Sequence, residues 1–435
     1  MSFVHALVLV MFSVVYVWTL YQLPILAIGV SHLRRYRNVE EDLRRPLLDV
    51  DELPTISIIV PVKDEEKVVG RLLEALLKLD YPPEKREIVI VEDGSKDRTV
   101  EICEEYVRKF PGQVKLIHRP TSSGKPPALN YALKYVKGDI VAFFDADSVP
   151  KPDALKRAIA YFSDPSVAAV QGRLFSINAD ENMLTKLASY GEIIWCEAYL
   201  RGRDSLGLFV YLRGSCQFIR RDVLMKLNGF DEKCLSEDME LSIRLTRNGY
   251  RIRYATDVRS WQETPSKLRE LFKQRTRWYR GTMQVALKHG RLMVKLDRRN
   301  VDAELTLMGP FVLIISLISS LLTPIILLMS LNSEVTLQLF TWLIAIGVGI
   351  SLAIFSITLA CIPRSRRIVD ILRLLFLCFY WYFEAFAAFY AMLLILSRRP
   401  QRWIKTEKTG FCENSRTTPM SFTFEEQAFV SIACY

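Results

Sequence analysis

The chain has 435 residues, half of them apolar, and a formal charge of +10. It is long enough for one large core and more than one structural region. Its eight cysteines form no CxxC pair and its histidines no cluster, which argues against a disulfide framework or a structural zinc site and suits a reduced cytosolic setting.

Residues 2–30 contain no Asp, Glu, Lys or Arg and are long enough to cross the ~30 Å hydrocarbon core as a helix. No basic residue precedes them and no small-residue cleavage site follows, so an uncleaved anchor is expected. Arg34, Arg35 and Arg37 come next, placing the amino terminus outside and the rest inside. Much of the remaining Lys and Arg also lies beside apolar segments, which points to anionic lipid headgroups rather than nucleic acid.

The run Thr55–Val62 is β-branched and predicts a buried strand. A helix is expected over Glu65–Leu79, then a strand over Glu87–Glu92, a helix over 97–109, a strand over 114–118, a helix over 126–137 and a strand over 139–145. This alternation implies a mainly parallel sheet covered by helices, which binds ligands at the carboxyl ends of its strands. Three strands end in charged motifs: Lys63-Asp64-Glu65, Glu92-Asp93-Gly94-Ser95 and Asp145-Ala146-Asp147. No GxGxxG and no GxxxxGK[ST] is present, which excludes the usual dehydrogenase and NTPase phosphate loops.

Asp145 and Asp147 stand two apart, so on an extended chain both carboxylates face one site. They suit Mg²⁺ or Mn²⁺, which takes one or two protein carboxylates together with phosphate oxygens; a turn after a strand would also explain them. Asp93 with Gly94 has the same alternative as turn chemistry. Lys125 opens a segment rich in small residues and could meet a phosphate, or simply be solvated. Glu237, Asp238 and Glu240 begin a helical stretch with Ser236 as its cap. They are either first-turn acids favoured by the macrodipole or include a general base.

Lys267–His289 reads as a basic amphipathic helix suited to a headgroup boundary. On it Gln274, Arg277 and Trp278 share one face, an arrangement suited to a diphosphate and a sugar ring together; a membrane-surface helix with a Trp anchor is the plainer reading. Three further apolar runs follow at about 306–331, 335–361 and 369–396. The loop Asn332–Glu334 carries no basic residue and should be external, and the loop with Arg364, Arg366 and Arg367 internal. A third simple crossing would then leave Arg398, Arg399, Arg402 and Lys405 outside, against the charge rule, unless part of 369–396 is re-entrant or interfacial. Glu384, amid aromatic residues of that run, would line a glycan path or make a buried structural hydrogen bond.

Taken in order, VPVKDE (60–65), VEDGS (91–95), GKPPALN (124–130), FFDADSVP (143–150), RGSCQFIRR (213–221), GFDEKCLSEDMELSIRL (229–245) and QRTRW (274–278) resemble the family 2 glycosyltransferases. The resemblance is to the membrane group of hyaluronan, chitin, cellulose and poly-N-acetylglucosamine synthases. It implies an α/β GT-A catalytic domain with a mainly parallel sheet, flanked by transmembrane helices. By that resemblance Asp64 or Glu65, together with Asp93, contacts the nucleoside, Lys125 and Arg277 the diphosphate, and Asp145 the nucleotide sugar. Asp147, with Asp145, holds the Mg²⁺ or Mn²⁺, Asp238 is the base, and Gln274 and Trp278 bind the acceptor. The expected parse is an anchor at 1–30, a linker at 31–54, a catalytic domain at 55–265, an interface region at 266–300, membrane helices at 301–397 and a tail at 398–435. The tail stretch Arg402–Gly410 loosely resembles a segment that closes over the active site, and equally a basic juxtamembrane anchor.

The implied activity is inverting, metal-dependent transfer from a UDP-sugar, UDP-glucose or UDP-N-acetylglucosamine, to a growing β-linked polysaccharide. The alternative is a single transfer to a lipid acceptor. Expected partners are the nucleotide sugar, the acceptor and membrane lipids, with the catalytic domain on the cytoplasmic side.

Overall fold

The structure is a computed structural model and describes residues 3–36, 52–290, 297–331, 334–361, 373, 376–400 and 405–411. Most of the 31–54 linker, Arg37, Arg364, Arg366, Arg367, Arg402 and part of the Asn332–Glu334 loop lie outside those residues.

A mixed eight-stranded sheet forms the centre, in the order β3-β2-β1-β4-β7-β6-β8-β5. β1 (Ile56–Val62) lies between β2 (Arg86–Glu92) and β4 (Ile140–Phe143), and β3 (Val114–His118) flanks β2, all four parallel. The periodicity reading placed these strands to within two residues. Beyond β4 the sheet is mixed. β7 (Gln217–Arg220) runs antiparallel to β4 and β6 (Val167–Ser176), β8 (Arg251–Gln262) runs parallel to β6, and β5 (Val149–Pro150) pairs antiparallel with β8.

α2 (Val69–Leu77) and α3 (Thr99–Lys109) cover one face. α2 buries Val69, Leu72, Leu73, Ala75 and Leu76, each large side chain contributing about 1.5–3 kcal/mol. α2 starts later than expected because Asp64 takes φ +52° and the Glu65 N–H donates to Thr99 Oγ1 at 2.7 Å, which keeps the chain irregular there. α4 (Lys125–Leu133) starts with Pro126 and Pro127, tolerated in a first helical turn whose N–H groups need no partner. α5 (Ala154–Ala160), α6 (Met183–Ile194), the π-turns of Trp195–Leu200, α7 (Arg201–Ser205), α8 (Arg221–Lys226) and α9 (Glu237–Arg247) complete the domain.

α10 (Leu268–His289) runs beneath it, followed by α11 (Arg298–Met329), α12 (Glu334–Cys361) and α13 (Leu377–Leu396). With α1 (Phe3–Tyr36), α11, α12 and α13 are four helices long and apolar enough to cross a membrane. α13 packs along α10, with Ala388 and Ala391 against Met283 and Ile314. Alanines allow that close approach. α1 meets the catalytic domain at backbone distance: a Cβ on Gly29 would come within 2.1 Å of the Ala198 carbonyl. Beside this contact the buried Arg203 pairs with Asp302 of α11 at 3.1 Å and donates to Gln22 of α1 at 2.9 Å.

Candidate active site

The carboxyl ends of β1, β2 and β4 and the start of α9 converge on Lys125. Its Nζ donates to Asp145 Oδ1 at 2.6 Å and to the Gly214 carbonyl at 3.0 Å, and lies 3.7 Å from Glu237 Oε1. Gly124, at φ +103°, takes a backbone conformation that favours glycine and aims this lysine inward. Gly214, at φ +79°, faces both Asp238 and Lys125, each 3.2 Å from where a Cβ would be. Half-buried Arg277 of α10 completes the group. Burial lowers its pKa, and the carboxylates of Glu237, Asp145 and Asp238 oppose that lowering.

Burial drives both acids at the start of α9 upward, against the pull of Lys125. Glu237 reaches about 7, and Asp238 is also raised. A raised carboxyl is suited to exchanging a proton near neutral pH. The third acid of the motif, Glu240, differs. It pairs with Arg244 at 2.7 Å and with Lys288 and His289 at 3.1 Å, and its pKa falls to about 2. That makes it a structural anion. Ser236 sits at the cap position but makes no capping hydrogen bond. Its hydroxyl is turned onto α10, where a Cβ on Gly281 would meet Ser236 Oγ at 2.1 Å.

Asp145 and Asp147 do not extend from a strand as their spacing suggested. β4 ends at Phe143, and the Ser148 N–H donates to the Asp145 carbonyl at 2.9 Å, so the two residues occupy a turn. Their carboxylates have different partners. Asp147 Oδ2 accepts from the Glu263 N–H at 2.9 Å and from Lys408 Nζ at 2.6 Å. Burial alone would raise Asp147, but the Lys408 ammonium outweighs it and holds the carboxyl below its usual range.

Lys408 belongs to a strap, residues 405–411, that returns from the end of α13. It also donates to the Glu263 carbonyl at 2.9 Å, while Thr409 Oγ1 and the Gly410 N–H donate to the Glu263 carboxylate at 2.7 and 3.1 Å. Lys405 lies 3.3 Å from Glu65 Oε2 and donates to the Asp64 carbonyl. Burial lifts Glu65 to about 8 despite this lysine. Of the two tail readings, the strap's contacts are those of a segment covering the site.

Among the described residues no three His, Cys, Asp or Glu come together as a metal cage. The buried Asp147 carboxylate already accommodates one cation, the Lys408 ammonium. One or two carboxylates with room for phosphate oxygens fit the way Mg²⁺ and Mn²⁺ are commonly held.

The other expected residues divide. Asp64 Oδ1 accepts from the Lys96 N–H at 2.6 Å, which ties the loop after β1 to the loop after β2. Asp93 accepts from Arg119 at 2.5 Å, Ser122 at 3.1 Å and the Gly124 N–H at 3.0 Å, so its carboxylate shapes the turn before Lys125. Gln274 and Trp278 are half-buried on α10, and the Arg275 guanidinium lies 4.2 Å over the Trp278 ring. Sequence reasoning missed Glu263 and Glu192, and it noted the stretches that hold Arg213 and Lys408 without giving either residue a role. Glu263, in Gln262-Glu263-Thr264-Pro265 where β8 ends, carried the same strand-end signal as the three motifs it did find.

A family model described as glycosyltransferase like family 2 matches residues 54–281, more than half of the chain. A β-monoglucosyldiacylglycerol synthase from Synechocystis sp. is 33% identical over 272 residues, 61% of this chain and 56% of that one. A poly-β-1,6-N-acetyl-D-glucosamine synthase from Staphylococcus aureus is 30% identical over 248 residues, 56% of this chain and 58% of that one. The match thus spans less than two thirds of either relative's length. Among solved structures, the mannosyltransferase PcManGT from Pyrobaculum calidifontis, in complex with GDP-Man and Mn²⁺, superposes with a TM-score of 0.59 at 19% identity over 91% of this chain and 100% of that one.

Proposed function

Because the chain belongs to glycosyltransferase family 2 and has its GT-A fold, we propose that it transfers a hexose from a UDP-sugar, with inversion, to an acceptor presented at the membrane. The observation that carries this reading is the meeting of Lys125, Asp145, Glu237, Asp238 and Arg277 at the carboxyl end of a mainly parallel sheet.

The diphosphate of the donor lies against Lys125 and Arg277, releasing Lys125 from part of its carboxylate contacts. Arg277 can fork onto phosphate oxygens, and Lys125 adds a point charge. An acceptor hydroxyl attacks the anomeric carbon, the bond from that carbon to the diphosphate oxygen breaks, and the nucleoside diphosphate leaves with the electron pair. Asp238 takes the hydroxyl proton, a contribution of typically ~10²–10⁴-fold. One displacement without a covalent intermediate inverts the anomeric centre. Asp147, with Asp145, would hold Mg²⁺ or Mn²⁺, which supplies further positive charge to the leaving diphosphate. Glu65 and Asp93 form the wall nearest the nucleoside, and Gln274 and Trp278 receive the acceptor.

The acceptor has two readings. A growing β-linked polysaccharide agrees with the likeness to the poly-N-acetylglucosamine synthase. A lipid acceptor is favoured by the likeness to the glucosyldiacylglycerol synthase. It is also favoured by the exposure of the apolar windows, since that of α12 is only 6% buried and that of α1 11%. Such helices lie along α6, α11 and each other and leave most of their apolar surface facing outward.

Both ends of α13 support a cytoplasmic tail. Leu377 and Tyr380 pack with Leu187 and Tyr190 of α6, Arg280 donates to the Arg399 carbonyl, and the strap lies on the site. The chain thus enters and leaves α13 on the catalytic side. An interfacial or re-entrant α13 keeps Arg398, Arg399 and Lys405 beside the catalytic domain and satisfies the charge rule.

The test is Asp238→Asn, which is expected to bind UDP normally and abolish transfer from labelled UDP-glucose or UDP-N-acetylglucosamine in membrane vesicles. Near-normal turnover would remove Asp238 as the base and leave Glu237 as the candidate. Sizing the product decides the acceptor, because one sugar on an extractable lipid excludes a polymerase.

A further inference from the structure

Glu384 lies on an apolar helix, yet its carboxylate is committed to α10. Its Oε1 is 3.0 Å from Arg275 Nε, and its Oε2 accepts from the Tyr279 hydroxyl at 2.8 Å. Arg275 also donates to the Tyr380 hydroxyl at 3.2 Å and lies 3.6 Å from Glu192 of α6. Glu192 pairs with Arg213 at 2.6 Å, immediately before the Gly214 carbonyl that receives Lys125. Two arginines and two glutamates balance in charge, and three helices contribute to the cluster.

A buried ion pair is a poor adhesive. Desolvating the charges largely cancels their attraction, and apolar residues of similar volume hold helices together as well or better. What such a pair does supply is a fixed geometry. Here Arg275 is held by Glu384, Glu192 and Tyr380 while its flat guanidinium covers one face of Trp278 at 4.2 Å. Trp278 sits one residue after Arg277, which faces the carboxylates of the donor site.

We propose that Glu384 is a positioning residue for the transfer step: through its ion pair with Arg275 it fixes the Trp278 ring against which the acceptor docks. This rests on the acceptor reading of Trp278 given above. The role of α13 is then to set the acceptor platform as well as to occupy the membrane boundary.

The experiment uses the full-length protein in lipid nanodiscs and in membrane vesicles, comparing wild type, Glu384→Gln and Trp278→Ala. Subtracting the Trp278→Ala emission isolates the fluorescence of Trp278. In Glu384→Gln its quenching by acrylamide is expected to increase. In vesicles given labelled UDP-glucose or UDP-N-acetylglucosamine, the ratio of sugar in lipid extract or precipitable polymer to free sugar is expected to fall about tenfold. UDP affinity should stay near wild type while the melting temperature falls, because Arg275 loses its nearest carboxylate; a purely structural role would lower UDP binding, transfer and hydrolysis together.

Unchanged quenching in Glu384→Gln, or transfer and hydrolysis falling together, overturns the inference. If Trp278→Ala lowers the ratio and Glu384→Gln does not, only the positioning role falls. If Trp278→Ala leaves the ratio intact, the acceptor reading falls and takes this inference with it. Should Glu384→Gln fail to accumulate, Tyr380→Phe removes one hydroxyl from Arg275, keeps both ion pairs, and is expected to shift the same two readouts by less.

Discussion

Replacing Lys408 with methionine keeps the side-chain stem and removes the charge that Asp147 faces. In the structure Lys408 Nζ is 2.6 Å from Asp147 Oδ2 and 2.9 Å from the Glu263 carbonyl, so its ammonium occupies the carboxylate that would bind a divalent cation. A hydrogen bond to a charged group is worth about 1.5–3 kcal/mol. A cation competing for Asp147 has to displace that contact, and ~1.4 kcal/mol corresponds to a factor of ten. Lys408→Met is therefore expected to bind Mn²⁺ about 10- to 100-fold more tightly than wild type. Titration calorimetry of the purified protein with saturating UDP measures this directly. Lys405→Met is the control, because Lys405 contacts Glu65 and Asp64 and leaves the Lys408–Asp147 pair in place. Equal or weaker Mn²⁺ binding in Lys408→Met would refute the idea that the strap and the cation share Asp147. The variant should also show a new pH dependence. With Lys408 gone the burial of Asp147 is opposed only by the weaker pull of the Glu263 N–H and Arg71, its pKa rises, and Mn²⁺ affinity weakens as the pH falls.

Other expectations follow from the same geometry. The base must be ionised, and burial raises the pKa of Asp238, so transfer should fall as the pH drops through a value above the ordinary carboxylate range. Removing the opposing charge in Lys125→Met should move that acid limb to higher pH, as read from UDP release in a buffer series. Glu240→Ala leaves Arg244, Lys288 and His289 without their shared carboxylate and should destabilise the protein by about 3–5 kcal/mol, measured by urea or thermal unfolding. Because folding depresses the pKa of Glu240 to about 2, its stabilisation is present above the unfolded value of 4.5 and is lost as the pH falls toward 2. The variant should show a flatter stability profile in that window. Gly281→Ala would force a Cβ to within 2.1 Å of Ser236 Oγ. Separating α10 from α9 by about 1 Å should cost roughly 10² in transfer while UDP still binds.

The parallel half of the sheet, which carries the candidate site, was legible because its strands are short β-branched runs, three of them closed by a charged motif. The mixed half was not, since β7 and β8 carry polar and charged residues at positions that pairing, rather than periodicity, buries. Lys125, Asp145, Asp238 and Arg277 could be nominated because each lies in a short motif of the family's order. Spacing misled for Asp145 and Asp147, where a turn overrides the two-residue alternation of a strand. Ser236 misled in the same way, because α10 claims the hydroxyl that a cap would use. Lys408 stood inside the tail stretch 402–410 that resembled a closing segment, but its pairing was out of reach. It lies 261 positions from Asp147, and no local pattern encodes a contact that depends on where α13 delivers the chain. Glu384 was visible as an anomaly, and its partner on α10 became apparent only once the two helices were packed.

The cluster of Arg203, Asp302 and Gln22 joins the catalytic domain to both α1 and α11 through fully desolvated groups. A domain on a flexible tether would sample many heights and tilts over the bilayer, and each encounter with a membrane-bound acceptor would have to await the right one. Locked at two helices, the site keeps one altitude and one heading. For the membrane-presented acceptor proposed above, the search would become lateral diffusion in two dimensions, with the encounter rate set by how densely that acceptor populates the leaflet instead of by how often the enzyme faces it.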